Sequence, residues 1–373
     1  MSLSYWEQNT WFNNIDFCII GSGIVGLNCA LALRKDHPNA KILVLEKGQL
    51  PQGASSKNAG FACFGSMSEL LSDLSHHSES EIAQLVQQRY EGLQLLRQNL
   101  GDKAIDYKRY GGYEIFLNKN EALFQKCLQH VKDINALLHH IFQADVFQIK
   151  EQRFGFKNSL SQMIVNPFEA QIDTGMMMRS LLQKAQSNGI LVLNVANVIS
   201  FSTDQNAVHI ELDNSSFKTK ELFIATNAFA QELLEVDVKP YRNQVIITEP
   251  IRDLSINGTF HLDQGYYYFR NIHNRILLGG GRHLDPERES TTDFGLTDTI
   301  QHQLENLLHE VILPDQPVNI AHRWSGILAS GSQKKPIVKS IDDRVHCAVR
   351  LGGMGVAIGS EIGRRLADLS HKS

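Results

Sequence analysis

The chain has 373 residues, of which 42% are hydrophobic and 20% are charged, and its formal net charge at pH 7 is -4. This length can bury the cores of two domains or of one interleaved pair, and the hydrophobic fraction excludes a disordered chain. Because acidic and basic residues are interspersed, we expect neither a nucleic acid nor an anionic membrane as a partner.

A glycine-rich turn follows the first apolar segment of the chain. Residues 17–20 predict a buried parallel strand, and residues 27–33 predict the first helix of a βαβ unit. Gly21 permits a sharp turn, Gly23 lets a pyrophosphate approach the backbone, and Gly26 lets the helix pack closely on the strand. The free amides and the dipole at the start of the helix favour phosphate groups.

An acidic residue ends the second predicted strand. Glu46 follows residues 41–45 and lies twenty residues beyond Gly26. A carboxylate at this place can accept both ribose hydroxyls of a dinucleotide, and it disfavours a 2′-phosphate. The pattern therefore predicts a bound dinucleotide, but it does not by itself distinguish NAD from FAD.

The early apolar segment is short, lacks a basic flank and is interrupted by glycines, so it predicts neither a signal peptide nor a membrane span. The five cysteines form no CxxC pair and are odd in number, which is typical of free thiols in a reducing compartment. We therefore expect a cytoplasmic protein. The pairs His76-His77 and His139-His140 have no third ligand nearby in the sequence, so no metal site is predicted.

Residues 51–65 form a small, polar segment that is punctuated by glycines. Such a segment leaves its backbone amides exposed, and it is either a surface loop or a loop that wraps a cofactor. In the second case the hydroxyls of Ser55 and Ser56 would donate to phosphate, and the backbone of residues 58–61 would pass near a ring system.

Two later segments predict further contacts with a nucleotide. The predicted strand 221–225 ends at Thr226 and Asn227, and ligands of open α/β sheets lie at the carboxyl ends of strands. The predicted strand 346–349 leads into a glycine run at residues 352–355, where a helix start forms a second anion-binding nest.

Three motifs in this order resemble the D-amino acid oxidase, glycine oxidase and sarcosine oxidase superfamily of flavoproteins. They are the fingerprint at residues 21–26, Gly-Ala-Ser-Ser-Lys-Asn-Ala-Gly at 53–60, and Arg-Leu-Gly-Gly-Met-Gly-Val at 350–356. The resemblance covers nearly the whole chain and implies FAD rather than NAD. It implies an α/β fold in which a Rossmann-type FAD-binding domain is interleaved with an antiparallel-sheet substrate domain. The FAD-binding domain is expected at residues 1–78, 152–234 and 320–373, and the substrate domain at residues 79–151 and 235–319.

The resemblance also implies which residues bind FAD. Val198 would contact adenine through its backbone, Thr226 and Asn227 would lie beside the pyrophosphate and ribose, and the helix start at Gly355 would face the flavin pyrimidine oxygen. The full predicted set is Gly21, Gly23, Ile24, Val25, Gly26, Glu46, Lys47, Ser55, Ser56, Asn58, Ala59, Gly60, Phe61, Val198, Thr226, Asn227, Gly326, Leu351, Gly352, Gly353, Met354, Gly355 and Val356.

In an FAD enzyme the cofactor carries out the redox step, so the protein mainly positions the substrate, supplies electrostatic interactions and excludes water. An amine or amino acid would present its α C–H bond to flavin N5 with an uncharged nitrogen. Alternate residues of a strand share a face, so Tyr267 and Phe269 face one side, and Tyr268 and Arg270 face the other. The resemblance implies a substrate-contacting tyrosine at Tyr267.

Four arginines can hold a substrate carboxylate in a forked geometry, although each can equally be a structural charge. Trp324 either walls the substrate pocket or packs in the core. The candidate carboxylate-binding arginines are Arg270, Arg282, Arg323 and Arg350. The predicted catalytic set is Tyr267, Arg270, Trp324 and Arg350.

Several positions depart from the pattern of the superfamily. Leu328 and Ala329 stand near the place of the arginine that holds the carboxylate in amino acid oxidases, and Leu277 stands where sarcosine-oxidase-like members carry a lysine that activates oxygen. No cysteine lies near Gly326, so we expect non-covalent FAD. Met354 replaces a histidine of the glycine run. The motifs are most similar to those of the amine-oxidising branch, which includes γ-glutamylputrescine oxidoreductases.

The leading hypothesis is an FAD-dependent enzyme that oxidises a C–N bond of an amine or amino acid and passes electrons to O2 or a carrier. A 2-hydroxy acid dehydrogenase of the same fold is the second, and it would need a base such as His322 or His283 near flavin N5. The third is a flavin-binding electron-transfer subunit without its own substrate.

Overall fold

The computed structural model describes residues 3–370, which form two large β-sheets with helices packed around them. The strands are β1 Ile15–Ile20, β2 Ile42–Leu45, β3 Phe61–Ala62, β4 Gly112–Leu117, β5 Gln148–Glu151, β6 Ser159–Asn166, β7 Ala170–Gln171, β8 Leu191–Leu193, β9 Val198–Thr203, β10 Val208–Leu212, β11 Ser216–Ile224, β12 Lys239–Thr248, β13 Thr259–Leu262, β14 Tyr267–Ile272, β15 Arg275–Gly280, β16 Ile320–Ser330, β17 Ile337–Ser340 and β18 Val345–Val349. The α-helices are α1 Tyr5–Glu7, α2 Ile24–Asp36, α3 Met67–Leu74, α4 Glu79–Leu100, α5 Glu121–Phe142, α6 Thr174–Ser187, α7 Pro286–Glu289, α8 Asp298–Leu307 and α9 Gly355–Ala367.

The first sheet has the strand order β17-β18-β11-β1-β2-β8, and β10 and β9 extend it from β11. Its centre is parallel, since β1 pairs in parallel with both β2 and β11, and β11 pairs in parallel with β18. Cys18 and Ile19 are fully buried, as expected for a strand that is covered on both faces. Helix α2 follows β1 directly and packs against α9. The predicted Rossmann-type unit is therefore confirmed.

The second sheet has the order β16-β12-β15-β14-β13-β4-β6-β5 and is antiparallel except for the β13–β4 pair. One face of it packs on α8 and on a core of aromatic and aliphatic side chains. In that core the rings of Phe260 and Phe269 stack with centroids 4.5 Å apart. The other face turns towards the first sheet, so the predicted antiparallel platform is present.

The predicted domain boundaries differ from the sheet membership at three elements. β6, expected in the FAD-binding part, lies in the second sheet between β4 and β5. β16, also expected there, pairs with β12 along its length. α4, expected in the substrate part, packs against α9 beside the first sheet. These placements depend on pairings between distant segments, which local patterns do not encode. Residues 1–2 and 371–373 of the predicted ranges lie outside the described residues.

The start of α6 is fixed by local chemistry. Asp173 is the N-cap, and its carboxylate accepts a hydrogen bond from the Met176 backbone N–H at 2.8 Å. The Thr174 hydroxyl then donates to the Asn58 carbonyl oxygen at 3.1 Å, which ties the helix to the segment at residues 53–60. Within residues 3–370, no helix combines the length and apolar character needed to cross a membrane.

Candidate cofactor and substrate site

A cavity of about 570 Å³ lies between the two sheets. Its volume is in the range of small-molecule and cofactor sites. The carboxyl ends of β1, β2 and β11 line one side, and residues of β12, β13, β14 and β16 line the other. The fingerprint glycines Gly21 and Gly23 and the run Gly352–Gly353 border this same cavity. The two glycine motifs, which are distant in sequence, therefore converge on one site.

The fingerprint turn can be built only with glycine at two of its positions. Gly21 has a φ of +105°, and a Cβ atom there would lie 2.8 Å from the carbonyl oxygen of Ala225. A Cβ atom on Gly26 would lie 1.9 Å from the carbonyl oxygen of Gly21. Gly26 therefore serves the close packing of α2 on β1, as the sequence predicted, rather than bordering the cavity.

Glu46 is held in a fixed orientation at the end of β2. Its Oε2 atom accepts hydrogen bonds from the Ser22 backbone N–H at 3.2 Å and the Ser22 hydroxyl at 2.8 Å, and its Oε1 atom accepts from the Gly48 N–H at 3.2 Å. The side chain is 7% exposed and borders the cavity. Oε1 also accepts from the Gln52 N–H at 3.3 Å, so a ribose hydroxyl would bind to this carboxylate in place of the Ser22 hydroxyl, which can rotate away.

The end of β11 provides a buried polar atom without a partner. The hydroxyl of Thr226 is buried, makes no hydrogen bond within the described residues, and belongs to a side chain that borders the cavity. An unpartnered buried hydroxyl costs free energy, so it indicates a missing ligand group. The neighbouring Asn227 side chain instead accepts from the backbone N–H groups of Arg350 and Leu351, at 3.1 and 3.3 Å. The residues present thus fit a dinucleotide such as FAD.

Three predicted FAD-binding residues do not border the cavity. They are Gly26, Gly60, whose carbonyl oxygen accepts from the Ile172 N–H at 2.9 Å, and Ser56, whose hydroxyl donates to the carbonyl oxygen of Pro51. The remaining predicted residues that border it are Gly21, Gly23, Ile24, Val25, Glu46, Lys47, Ser55, Asn58, Ala59, Phe61, Val198, Thr226, Asn227, Gly326, Leu351, Gly352, Gly353, Met354, Gly355 and Val356.

Tyr267 and Trp324 do not lie where the catalytic predictions placed them. Tyr267 is 5% exposed and packs in the core of the second sheet, edge-on to His283, while the adjacent Tyr268 borders the cavity. Tyr267 and Phe269 thus share the face of β14 that packs in the core, and Tyr268 lies on the opposite face. Trp324 does not border the cavity, and its Nε1 atom donates to the Lys57 carbonyl oxygen at 3.0 Å. Its role is to fix the loop of residues 53–60 onto β16.

The guanidinium groups of Arg270 and Arg350 already have hydrogen-bond partners within the protein. Arg270 is 1% exposed, and its Nη1 atom donates to the carbonyl oxygens of Ile172 and Gly60 at 2.7 and 3.2 Å. Burial lowers the pKa of Arg270 to about 10. Arg350 borders the cavity, but its Nη1 atom donates to Asp237 Oδ2 at 2.6 Å, and its Nε and Nη2 atoms donate to the Lys335 carbonyl oxygen.

Arg282 is the candidate arginine that keeps its guanidinium available. It borders the cavity and makes no hydrogen bond or ion pair within residues 3–370. Its charged group lies over the ring of Tyr266, 5.1 Å from the centroid. Arg323, by contrast, lies outside the cavity lining and pairs with Glu305 at 2.6 Å.

A buried polar cluster beside the cavity was missed by the sequence analysis. Cys63, Glu169 and His261 are all buried, and one potential ligand atom of each lies within 4.8 Å of the others. Cys63 and His261 border the cavity, as does Glu69 of α3. No spacing in the sequence could have indicated this cluster, because the three residues come from three distant segments. The residue types that could bind a metal thus come together from separate segments rather than from adjacent histidines.

The surroundings of the cluster shift its acid–base behaviour. Burial lowers the pKa of His261, but the carboxylates of Glu169, Glu69 and Glu114 outweigh it, so the net pKa lies above its ordinary value. Burial raises the pKa of the Cys63 thiol well above its ordinary value, which keeps the sulfur protonated.

Comparisons with known proteins agree with this architecture. Residues 16–369 match the family model described as DAO, FAD dependent oxidoreductase. The chain is 22% identical to the probable oxidoreductase OrdL of Haemophilus influenzae over 96% of this chain and 83% of that protein. It is 23% identical to γ-glutamylputrescine oxidoreductase of Escherichia coli over 95% and 83%, respectively. The crystal structure of glycine oxidase from Geobacillus kaustophilus superposes with a TM-score of 0.76 at 18% identity, covering 95% of this chain and 94% of that one.

Proposed function

The chain belongs to the family of FAD-dependent oxidoreductases, and from that premise we propose that it oxidises a carbon–nitrogen bond of an amine or amino acid. When bound, FAD would supply the electron acceptor, taking a hydride from the substrate α carbon at its N5 atom. The residues of the chain then have to bind the substrate, orient its α C–H bond, keep its nitrogen uncharged and exclude water. The unpaired guanidinium of Arg282 at the cavity is the observation that carries the substrate class.

We propose that FAD is held without a covalent bond. Glu46 would accept the ribose hydroxyls, the amide of Val25 at the start of α2 would face the pyrophosphate, and Thr226 would donate to the nucleotide. Cys63 borders the cavity, but burial keeps its thiol protonated and therefore a weak nucleophile. Acid precipitation of the yellow protein should leave FAD in the supernatant, and flavin retained in the washed pellet would contradict this proposal.

A substrate carboxylate is the natural partner of Arg282. A guanidinium matches a carboxylate through two parallel hydrogen bonds, and Arg282 would break no ion pair to form them. The hydroxyl of Tyr268, also at the cavity, has no hydrogen-bond partner within the described residues and can donate to the substrate. Leu328 lines the cavity near the place where the resemblance implied an arginine, so Arg282 would take over that role from a different strand end.

Anaerobic reduction of the yellow holoprotein by a substrate panel tests this function. Bleaching by amines or amino acids would support C–N oxidation, and bleaching by hydroxy acids alone would support a 2-hydroxy acid dehydrogenase. No bleaching by any compound would favour an electron-transfer subunit. The bases considered for hydroxy acid chemistry lie away from the cavity lining: His322 is exposed beside Trp324, and His283 lies 3.5 Å from Asp263.

Replacing Arg282 tests the role of the carboxylate separately. Arg282→Met should raise KM for carboxylate-bearing substrates by roughly 10- to 100-fold, because it removes charge-assisted hydrogen bonds of about 1.5–3 kcal/mol. Amines without a carboxylate should react as before. Arg323→Met, which removes a cation outside the cavity, is the matched control. An equal rise in KM for both substrate classes would contradict the assignment.

The electron acceptor is proposed to be O2 or a carrier. Leu277 is 5% exposed and packs with Ala59 and Val245, in the place where the resemblance implied a lysine that activates oxygen. The rate at which air reoxidises the reduced protein, compared with the rate for an artificial dye, separates these two acceptors.

A further inference from the structure

We propose that His261, oriented by Glu169, accepts the proton that a substrate ammonium group must lose before its α C–H bond is broken. This inference rests on the proposed function and assigns a proton acceptor to it. His261 would be a catalytic residue, since it would contact the substrate nitrogen, and Glu169 would be a positioning residue.

His261 lies where the second sheet meets the cavity. It is on β13, between Tyr268 of β14 and Glu114 of β4, and it is 5% exposed and borders the cavity. Its ring packs edge-on against Phe61 with centroids 5.3 Å apart, and Phe61 packs edge-on against Tyr268 at 5.5 Å. The imidazole is thus held among the aromatic side chains of the cavity wall rather than on the protein surface.

Glu169 sets the orientation of the imidazole ring. His261 Nε2 is buried, lies 3.5 Å from Glu169 Oε2 and makes no hydrogen bond within the described residues. The other carboxylate oxygen of Glu169 accepts from the Phe64 N–H at 3.0 Å, which fixes the carboxylate. Because an ionised carboxylate only accepts hydrogen bonds, it favours the tautomer with the proton on Nε2. A small closure of the gap on substrate binding would complete that hydrogen bond.

The second ring nitrogen is then free to accept a proton. With Nε2 protonated, Nδ1 carries the lone pair. Nδ1 has no hydrogen-bond partner within residues 3–370, and its side chain borders the cavity. The ring therefore presents a basic nitrogen to the space in which a substrate would bind.

The groups around His261 are mostly acidic. Glu69 of α3, Glu114 of β4 and Glu169 face it from three segments, and the neutral thiol of Cys63 lies beside it. The phenol of Tyr268 lies opposite on β14, and burial raises its pKa to about 12. Arg89 of α4 donates to the Phe64 carbonyl oxygen at 2.7 Å, and its positive charge offsets part of the rise in the pKa of the Cys63 thiol. The carboxylates stabilise the imidazolium that forms when a proton arrives.

The proposed step is a single proton transfer. One N–H bond of the substrate ammonium breaks, its electron pair stays on the substrate nitrogen, and a new N–H bond forms at His261 Nδ1. The positive charge moves from the substrate to the imidazolium beside Glu169, so the total charge is unchanged. The amine lone pair is then available to stabilise the α carbon as the hydride leaves. The imidazolium later returns its proton to solvent through the cavity.

Cys63, Glu169 and His261 are also residue types that bind transition metals. The thiolate form is the metal ligand, and burial raises the pKa of Cys63, so the cluster without a metal favours the protonated thiol. Elemental analysis of the purified holoprotein separates the two roles, because a stoichiometric metal bound to the imidazole would overturn the proton-acceptor role.

Stopped-flow reduction of the anaerobic holoprotein by an amine substrate, measured across pH, tests the proposal. In the wild type the reduction rate should rise with pH as His261 loses its proton. In His261→Asn the rate near neutral pH should fall by roughly 100-fold, and the rise should move up to the pKa of the free amine. Added imidazole should restore part of the rate, and FAD content should be unchanged. His322→Asn, which removes an exposed histidine away from the cavity, is the matched control.

A second measurement does not depend on turnover. In the cofactor-free protein, an NMR titration of the His261 ring proton should show a lower pKa in Glu169→Gln than in the wild type, because the charge that stabilises the imidazolium has been removed. Glu169→Gln holoprotein should likewise shift the acidic limb of the reduction rate to lower pH.

Unchanged rates and pH profile in His261→Asn would overturn this assignment and leave the proposed function standing. Failure of every amine to reduce the wild-type flavin would overturn both. If His261→Asn does not retain FAD, the Glu169→Gln variant provides the test. The role of the pair would be overturned if this variant changed neither the acidic limb of the pH dependence of the reduction rate nor the pKa from the titration of the His261 ring proton.

Discussion

Replacing either of two glycines at the start of α2 by alanine should have different effects: Gly26→Ala should mainly lower the stability of the fold, and Gly23→Ala should mainly weaken FAD binding. At Gly26, the added Cβ atom would lie 1.9 Å from the carbonyl oxygen of Gly21, which is backbone and cannot rotate away. At Gly23, φ is -75°, which any residue adopts, and the nearest atom is the Ser55 hydroxyl oxygen at 2.7 Å. That hydroxyl can rotate about a single bond. Gly26→Ala must therefore displace α2 from β1, while Gly23→Ala mainly displaces one side chain.

The expected sizes of the two effects follow from these contacts. Gly26→Ala overpacks two backbone segments and should lower the free energy of unfolding by about 3 kcal/mol, the upper end of the usual overpacking cost. Gly23→Ala loses the 3.0 Å hydrogen bond from the Ile24 N–H to Ser55, which costs about 0.5–1.5 kcal/mol. A gain of about 0.4–1 kcal/mol from the stiffer unfolded chain partly offsets that loss. The stability of Gly23→Ala should thus remain within about 1 kcal/mol of the wild type.

For FAD affinity the larger effect is expected from Gly23→Ala. A methyl group on Gly23 would occupy the approach of the pyrophosphate and remove at least one charge-assisted hydrogen bond, so the Kd for FAD should rise by roughly 10- to 150-fold. Urea unfolding of the cofactor-free proteins and titration with FAD measure the two effects separately. Gly175→Ala, in the first turn of α6 and outside the cavity, is the control. Wild-type FAD affinity in Gly23→Ala, or wild-type stability in Gly26→Ala, would refute the reasoning.

Two further predictions concern side chains at the cavity. Thr226→Val removes a buried hydroxyl without a partner, so the unfolding free energy of the cofactor-free protein should rise by up to about 1 kcal/mol. FAD affinity should fall about 5- to 10-fold. A fall in both quantities would contradict this prediction. Tyr268→Phe should slow flavin reduction by about ten-fold at every pH between about 6 and 10, because burial raises the pKa of Tyr268 to about 12 and the phenol keeps its proton. As the control, Tyr267→Phe should reduce its flavin at the wild-type rate. If the slowing caused by Tyr268→Phe varied with pH in this range, the phenol would be excluded as the donor.

The parts of the site that the sequence predicted are those built from local chemistry. The strand, glycine turn and helix of residues 17–33 need only neighbouring residues, and the Ser22–Glu46 contact spans just 24 positions. The N-cap at Asp173 is a contact across three positions. Such features follow from backbone conformations and side-chain donors that a short stretch of sequence specifies on its own.

The face of β14 could not be predicted in the same way. Alternation gives two faces, with Tyr267 and Phe269 on one and Tyr268 and Arg270 on the other, so each face carries a tyrosine that could contact a substrate. The choice depends on which face of the second sheet packs on α8, and that packing places Tyr267 beside Ile300. A strand with large side chains on both faces thus leaves the orientation to tertiary packing.

The arginines show why a count of cations overstates the number that can bind a substrate. Arg270 donates to the Ile172 carbonyl oxygen, 98 positions away in the chain, and Arg350 donates to Asp237, 113 positions away. Every residue has a backbone carbonyl, so the sequence does not indicate which one will bind an arginine. Withdrawing such a buried cation from its partners would cost about 3–5 kcal/mol, which is more than the about 1.5–3 kcal/mol that a new carboxylate contact returns. Arg282 has no such partner, so the whole of its interaction with a carboxylate is available for binding. The pairing state of a cation, rather than its presence in the sequence, therefore decides which arginine can recognise the substrate.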